Sequence, residues 1–91
     1  MRIDDTTTLS RNPSALGTST GDTMVLLDER GEYLELNPVG VSVWECLEQP
    51  TTFGALVLLL ATEYGAAAAQ VRGDVLPFLD ELAERGLVLL T

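Results

Sequence analysis

Side chains able to do chemistry are scarce in this sequence. Histidine and lysine are absent, the one cysteine is Cys46, and the basic residues are five arginines: Arg2, Arg11, Arg30, Arg72 and Arg85. Without imidazole there is no general base poised near neutrality and no His-ligated zinc. One thiol cannot close an intrachain disulfide or build a cysteine cage. Cys46 lies in an apolar helical pattern beside Glu45 and Glu48. A nucleophilic thiol needs a cationic neighbour to lower its pKa, so Cys46 reads as a small core residue. Ser42 sits in Gly40-Val41-Ser42-Val43, and the Asp-Ser-Leu that typifies a phosphopantetheine acceptor does not occur. The expectation is therefore a binding module with no catalytic residue, no metal and no cofactor, rather than an enzyme.

Charge narrows the partners. Fourteen acids against five arginines give a net charge of −9 over 91 residues. Surfaces that track phosphates need clustered Lys and Arg, so nucleic acid is a poor partner. The N-terminal Met1-Arg2-Ile3-Asp4-Asp5 lacks the basic segment and apolar run of a secretory signal. The longest apolar stretch, Ala55 to Ala61, falls well short of the roughly 20 residues that span a bilayer. One cytoplasmic domain over residues 1–91, with no membrane partner, is expected.

The elements that must position any site are strands first, helices second. Thr6 to Ser10 is rich in β-branched threonine and reads as a strand, to which the stretch after Asn12-Pro13-Ser14 could add a second half. Gly17 to Asp22 reads as loop. Thr23 to Asp28 and Tyr33 to Leu36 read as a β-hairpin around Glu29-Arg30-Gly31-Glu32. Leu34 and Leu36 share one face of the second strand, Tyr33 and Glu35 the other.

Asn37-Pro38 announces a helix, with Asn as N-cap and Pro in the first turn, carrying an apolar stripe through Leu47. Thr51 or Thr52 caps a second helix that stops at Gly65. It is apolar nearly all round, which predicts that it lies under other elements. A third helix starts within Ala66 to Ala69 and runs to Arg85, with Gly86 as its stop. Pro77 lies inside it and crowds the carbonyl of Gly73, predicting a kink or break near Gly73-Asp74. Leu87 to Leu90 closes the chain as an extended tail. The fold class is α+β: an N-terminal three-stranded antiparallel sheet followed by three helices, winged helix-turn-helix in outline.

Some of the text is more specific. Leu26-Leu27-Asp28, a turn with Gly31, Tyr33, Leu36-Asn37-Pro38-Val39-Gly40, Trp44, Asp74-Val75, Phe78-Leu79, Leu82 and Gly86-Leu87 follow in order. This set resembles the PqqD-like family, the precursor-peptide recognition elements of ribosomally made, modified peptides, over residues 24–89. Two departures stand out: Gln49-Pro50-Thr51 where Asp-Gly is usual, and Pro77 within the third helix. The resemblance implies capture of a leader peptide as an added strand, in a groove between the edge strand and the third helix. A chain consisting of this domain is similar to the stand-alone B1 proteins of lasso-peptide biosynthesis. Its implied partners are a leader protease and a maturation enzyme, here a cyclase. The alternative is a PqqD-type chaperone serving a radical-SAM enzyme.

The residues support the same event physically. Glu32, Tyr33, Leu34, Glu35 and Leu36 form a candidate docking edge without proline or lysine to guard it. Val71, Asp74, Val75 and Phe78 are the candidate groove wall. Tyr33 suits a half-wet interface best, having an apolar ring with a polar tip. Plainer readings stand beside these. Leu34 and Leu36 fit a core, as do Phe78 and Leu82, and Asp74 fits a solvated cap. Asp28, Glu29, Glu32, Glu35 and Asp74 could steer a basic leader, or the charge could serve solubility alone. A winged-helix DNA regulator is disfavoured, because the third helix sets Arg72 and Arg85 against Asp74, Asp80, Glu81 and Glu84.

Overall fold

The computed structural model describes residues 3–21 and 23–91. Within these the chain runs β1 (Thr8–Arg11), β2 (Leu16–Thr20), β3 (Thr23–Leu27), β4 (Tyr33–Leu36), α1 (Pro38–Cys46), β5 (Thr51–Thr52), α2 (Phe53–Tyr64), α3 (Ala68–Glu84) and β6 (Val88–Leu90). The α+β class holds, with the expected three-stranded antiparallel sheet ahead of the helices.

The membership of that sheet differs from the sequence expectation. It is β2-β3-β4, and β1 instead joins a second sheet ordered β5-β1-β6. Gly17 to Thr20, read as loop, forms most of β2 and pairs with β3 from Leu16↔Leu27 to Thr20↔Thr23. Its turn-forming residues are overridden by a hydrogen-bonded ladder, as tertiary context commonly overrides β propensity. The C-terminal tail is also a strand, paired with β1 through Leu9↔Leu90, Ser10↔Leu89 and Arg11↔Val88.

The hairpin β3–β4 forms as expected, and Asp28 organises its turn. The carboxylate Oδ1 accepts the backbone N–H of Arg30 at 2.9 Å and of Glu32 at 3.0 Å. Gly31 takes φ +83°, a left-handed conformation that a side chain would resist. The Asp28 carboxylate is buried, and its Oδ2 has no hydrogen-bond partner; the Arg30 guanidinium stands 3.9 Å away, too far to supply one. Asp28 thus belongs to the turn, not to an exposed steering surface.

The helix starts are those the sequence announces. Asn37 Oδ1 accepts the Gly40 N–H at 2.8 Å with Pro38 in the first turn, and Thr52 Oγ1 accepts the Ala55 N–H at 3.2 Å. The C-terminal end of α1 is held from another element. Arg11 on β1 donates through its guanidinium to the Trp44 carbonyl and lies 4.7 Å from the centroid of the Trp44 ring.

One helical expectation needs correction, and of the kink or break expected near Gly73-Asp74 only the break is excluded. α2 buries only Phe53, Leu56, Val57 and Leu60, while Leu58 and Leu59 face solvent. Packing against α1 and α3 covers one face, and nothing described covers the other. α3 runs unbroken from Ala68 to Glu84 with Pro77 inside it. Gly73 and Pro77 both lie on the exposed side, where water can satisfy the carbonyl that Pro77 cannot. The stripe Val71, Val75, Leu79 and Leu82 meanwhile holds the buried side together. These residues join Leu9, Leu26, Leu36, Val43, Trp44, Phe53 and Leu87 in one apolar core between the sheets and helices.

Candidate peptide-binding cleft

β4 is an outer strand, with β3 on one side and none on the other among the described residues. The Asp28 N–H donates to the Glu32 carbonyl at 2.9 Å, which makes Asp28 and Glu32 a hydrogen-bonded pair. Such pairs alternate along an antiparallel ladder. Leu26↔Leu34 and Met24↔Leu36 therefore continue the bonded set, while Leu27↔Tyr33 and Val25↔Glu35 do not. The backbone N–H and C=O groups of Tyr33 and Glu35 consequently point to the open side.

That side opens on a cleft of about 230 Å³. Leu34, Glu35 and Leu36 line it from β4, Asn37, Val39, Gly40 and Val43 from the start of α1, and Asp74, Val75, Phe78 and Glu81 from α3. Gly40 lets the three elements meet. A Cβ there would lie 3.2 Å from Phe78 Cζ and 3.3 Å from Leu36 Cβ, tighter than ordinary contact. A second hollow of about 120 Å³ adjoins, sharing Val39, Asp74 and Val75 and adding Leu60, Tyr64, Ala66, Gln70 and Val71. The Tyr64 and Ser42 hydroxyls, 2.6 Å apart, tie α2 to α1 near this hollow.

The structure thus brings Leu34, Glu35, Leu36, Asp74, Val75 and Phe78 to one cleft, and Val71 to its extension. Leu36, Val71 and Val75 are buried and form the floor; Phe78 is half-buried and walls the cleft, while Leu82 is pure core. Asp74 is exposed at the rim, in the middle of α3 rather than at a cap. Glu32 and Tyr33 line neither hollow, and the Tyr33 ring points to the outer face of the sheet, 72% exposed. Sequence reasoning missed Asn37, Val39, Gly40, Val43 and Glu81. Glu81 was within reach, because it follows Asp74 by seven residues and Phe78 by three, on one helical face.

Among the described residues no group of three or more His, Cys, Asp or Glu converges as a metal site would require. Burial, then Glu63 and Glu45, push the Cys46 thiol above its ordinary value of 9.0, which holds it in the unreactive protonated form at neutral pH. No single described helix is long and apolar enough to cross a membrane.

Residues 23–88 match the family model described as Coenzyme PQQ synthesis protein D (PqqD). The chain belongs to the PqqD family. This PqqD-family chain is also similar to a solved structure described as TbiB1 in complex with the TbiA(beta) leader peptide. The two are 28% identical with a TM-score of 0.78, over 87% of this chain and 93% of that one. A comparison with curated proteins gives no match.

Proposed function

We propose that this protein is a non-catalytic recognition element that binds the leader segment of a ribosomal precursor peptide by strand addition to β4. The observation that carries the reading is the open edge of β4 lying along a cleft walled by α3. Tyr33 and Glu35 offer two backbone donors and two acceptors to an added strand, enough for sequence-tolerant affinity. Leu34, Val75 and Phe78 offer apolar contacts, and Asp74 and Glu81 place negative charge along the rim, while the Glu35 side chain lies on the same outer face of β4 as Tyr33. Glu32, Leu36 and Val71 complete the proposed site as the start of the edge and the floor of the groove. The solved relative was determined with a leader peptide, which supports the same use of the fold here.

The bound leader holds the precursor for other enzymes: a leader protease and a cyclase, as in lasso-peptide biosynthesis. The PqqD description equally suits a chaperone for a radical-SAM enzyme, and the enzymes encoded beside this gene distinguish the two. Fluorescence anisotropy with the labelled leader encoded beside this gene tests the reading. Saturable binding in the micromolar range or tighter is expected, and none up to about 50 μM contradicts it. Asp74→Lys should weaken binding of a basic leader without unfolding the chain, since Asp74 is exposed.

A further inference from the structure

The outward face of α2 carries a feature that leader capture does not use. Leu58, Leu59 and Thr62 follow Ala55 at spacings of three, four and seven, and all four are exposed, the two leucines 64% and 54%. Such spacing places them on one side of the helix, opposite the buried Phe53, Leu56, Val57 and Leu60. Thr62 joins as an apolar member, because its hydroxyl donates to the Leu58 carbonyl at 3.0 Å and leaves its methyl group for contact. α2 is thus apolar on two sides, as its composition announces, and folding uses only the inner one. Scattered exposed leucines need no explanation, but a stripe at helical spacing is what a packed helix presents to a neighbour.

Acids border the stripe at both ends, and no base interrupts it. At the C-terminal end stands Glu63, with Glu45 of α1 near it, since both raise the pKa of the same thiol, Cys46. At the N-terminal end the Gly54 N–H donates to the Asp5 carbonyl at 3.1 Å, which brings the exposed Asp4 and Asp5 alongside. Arg72, the base that reaches this end, is held by the Asp5 carboxylate and lies 5.5 Å from the centroid of the Phe53 ring. A second copy is therefore a poor occupant. Two-fold pairing of α2 with α2 sets Glu63 against Asp4 and Asp5 when antiparallel, and each acid against its own copy when parallel. The stripe fits instead an apolar helix flanked by Arg or Lys. From Ala55 to Thr62 it runs about 10.5 Å, room for two turns of such a helix packed about 8–10 Å away.

The stripe is also independent of the leader site. Leu60 and Tyr64 line the extension of the cleft from the inner side of α2, whereas Ala55, Leu58, Leu59 and Thr62 line neither hollow. A leader in the cleft therefore neither covers the stripe nor adds to it. Resting on the leader-binding reading, we infer that the outward face of α2 docks the enzyme that modifies the core peptide, through an apolar helix of that enzyme bordered by Arg or Lys. Unlike the protease, that enzyme does not act on the leader, so the surface that holds it has no need of leader contacts. Docking there leaves the β4 edge open, and the enzyme stays in place while a leader enters, is cut or leaves.

The test uses the full chain, its leader and the purified maturation enzyme encoded beside the gene, with enzyme binding followed by biolayer interferometry and leader binding by anisotropy. Leu58→Ser with Leu59→Ser should weaken enzyme binding at least about tenfold, or about 1.4 kcal/mol, while leader affinity stays within about twofold. Ala55→Arg puts a base into the stripe through a good helix former at an exposed position; it should weaken enzyme binding likewise, and serves if the double variant folds poorly. Glu45→Gln with Glu63→Gln should slow enzyme association severalfold at low salt. Saturating leader should change enzyme affinity by less than about twofold. Unchanged enzyme affinity in the folded stripe variants, or an unchanged association rate in the glutamine variant, overturns the inference. So does enzyme binding that requires leader, no binding to the wild-type chain, or a dimer or phosphatidylcholine-vesicle binding that the stripe substitutions abolish. Failure of leader binding itself is separate, because anisotropy reads it without the enzyme.

Discussion

At Gly40, two physical effects oppose one another. Alanine is a better helix former by about 1 kcal/mol, yet a side chain here meets Phe78 and Leu36 at 3.2 and 3.3 Å. Phe78 is half-buried and can yield a little; Leu36 is fully buried and cannot. Alanine should be nearly neutral. Gly40→Val adds two further carbons, and overpacking of that kind costs about 1–3 kcal/mol; urea denaturation should show it, together with weaker leader binding. Asp28 is a second sensitive residue. Asp28→Ala removes the acceptor of two backbone N–H groups and should destabilise the chain by about 1–3 kcal/mol, whereas Asp28→Asn keeps an acceptor oxygen and should cost less. At Cys46 the folded thiol pKa is raised, chiefly by burial. Its stabilising contribution is present below the unfolded pKa and is lost as pH rises through the folded one. Iodoacetamide at a pH of about 8.5 should label the native chain more slowly than the urea-unfolded chain; equal rates would contradict the burial.

At the scale of elements, strand addition makes a sharp demand on β4. The Glu35 N–H points away from β3, so proline there would remove a donor to the leader while leaving the β3 ladder intact. Proline is tolerated on sheet edges for this reason. Glu35→Pro should retain the circular dichroism of the fold and weaken leader binding more than about tenfold.

Local chemistry made part of this architecture legible in the sequence. Asn37-Pro38 and Thr52 act through neighbours three residues away, and the Asp28–Gly31 turn is self-contained. β2 and the second sheet were not legible in the same way. Leu9 finds Leu90 across most of the chain, and Gly17-Thr18-Ser19-Thr20 becomes a strand only because β3 lies beside it. The composition of α2 likewise concealed that Leu58 and Leu59 remain in solvent. For the cleft, the α3 wall could be read from spacing, whereas Val39, Gly40 and Val43 could not. Their place depends on the angle at which α1 meets α3.

At the scale of the whole molecule, the net charge of −9 and the acidic rim favour a basic leader. With Asp28 buried in its turn, the rim consists of Asp74 and Glu81 at the cleft, with Glu35 on the outer face of β4. Exposed charges of this kind act mainly on association rate and are screened by salt. Raising ionic strength from about 0.05 to 0.5 M should slow association with a basic leader severalfold while changing dissociation little. A rate indifferent to salt would assign the charge to solubility alone.

Amide hydrogen exchange followed by NMR reads directly which backbone groups a bound leader uses. On titration with leader, the Tyr33 and Glu35 amides, which point to the open edge, should gain strong protection. Leu34 and Leu36, already bonded to β3, should change much less. Leader binding that leaves Tyr33 and Glu35 as exchangeable as before would contradict strand addition at β4.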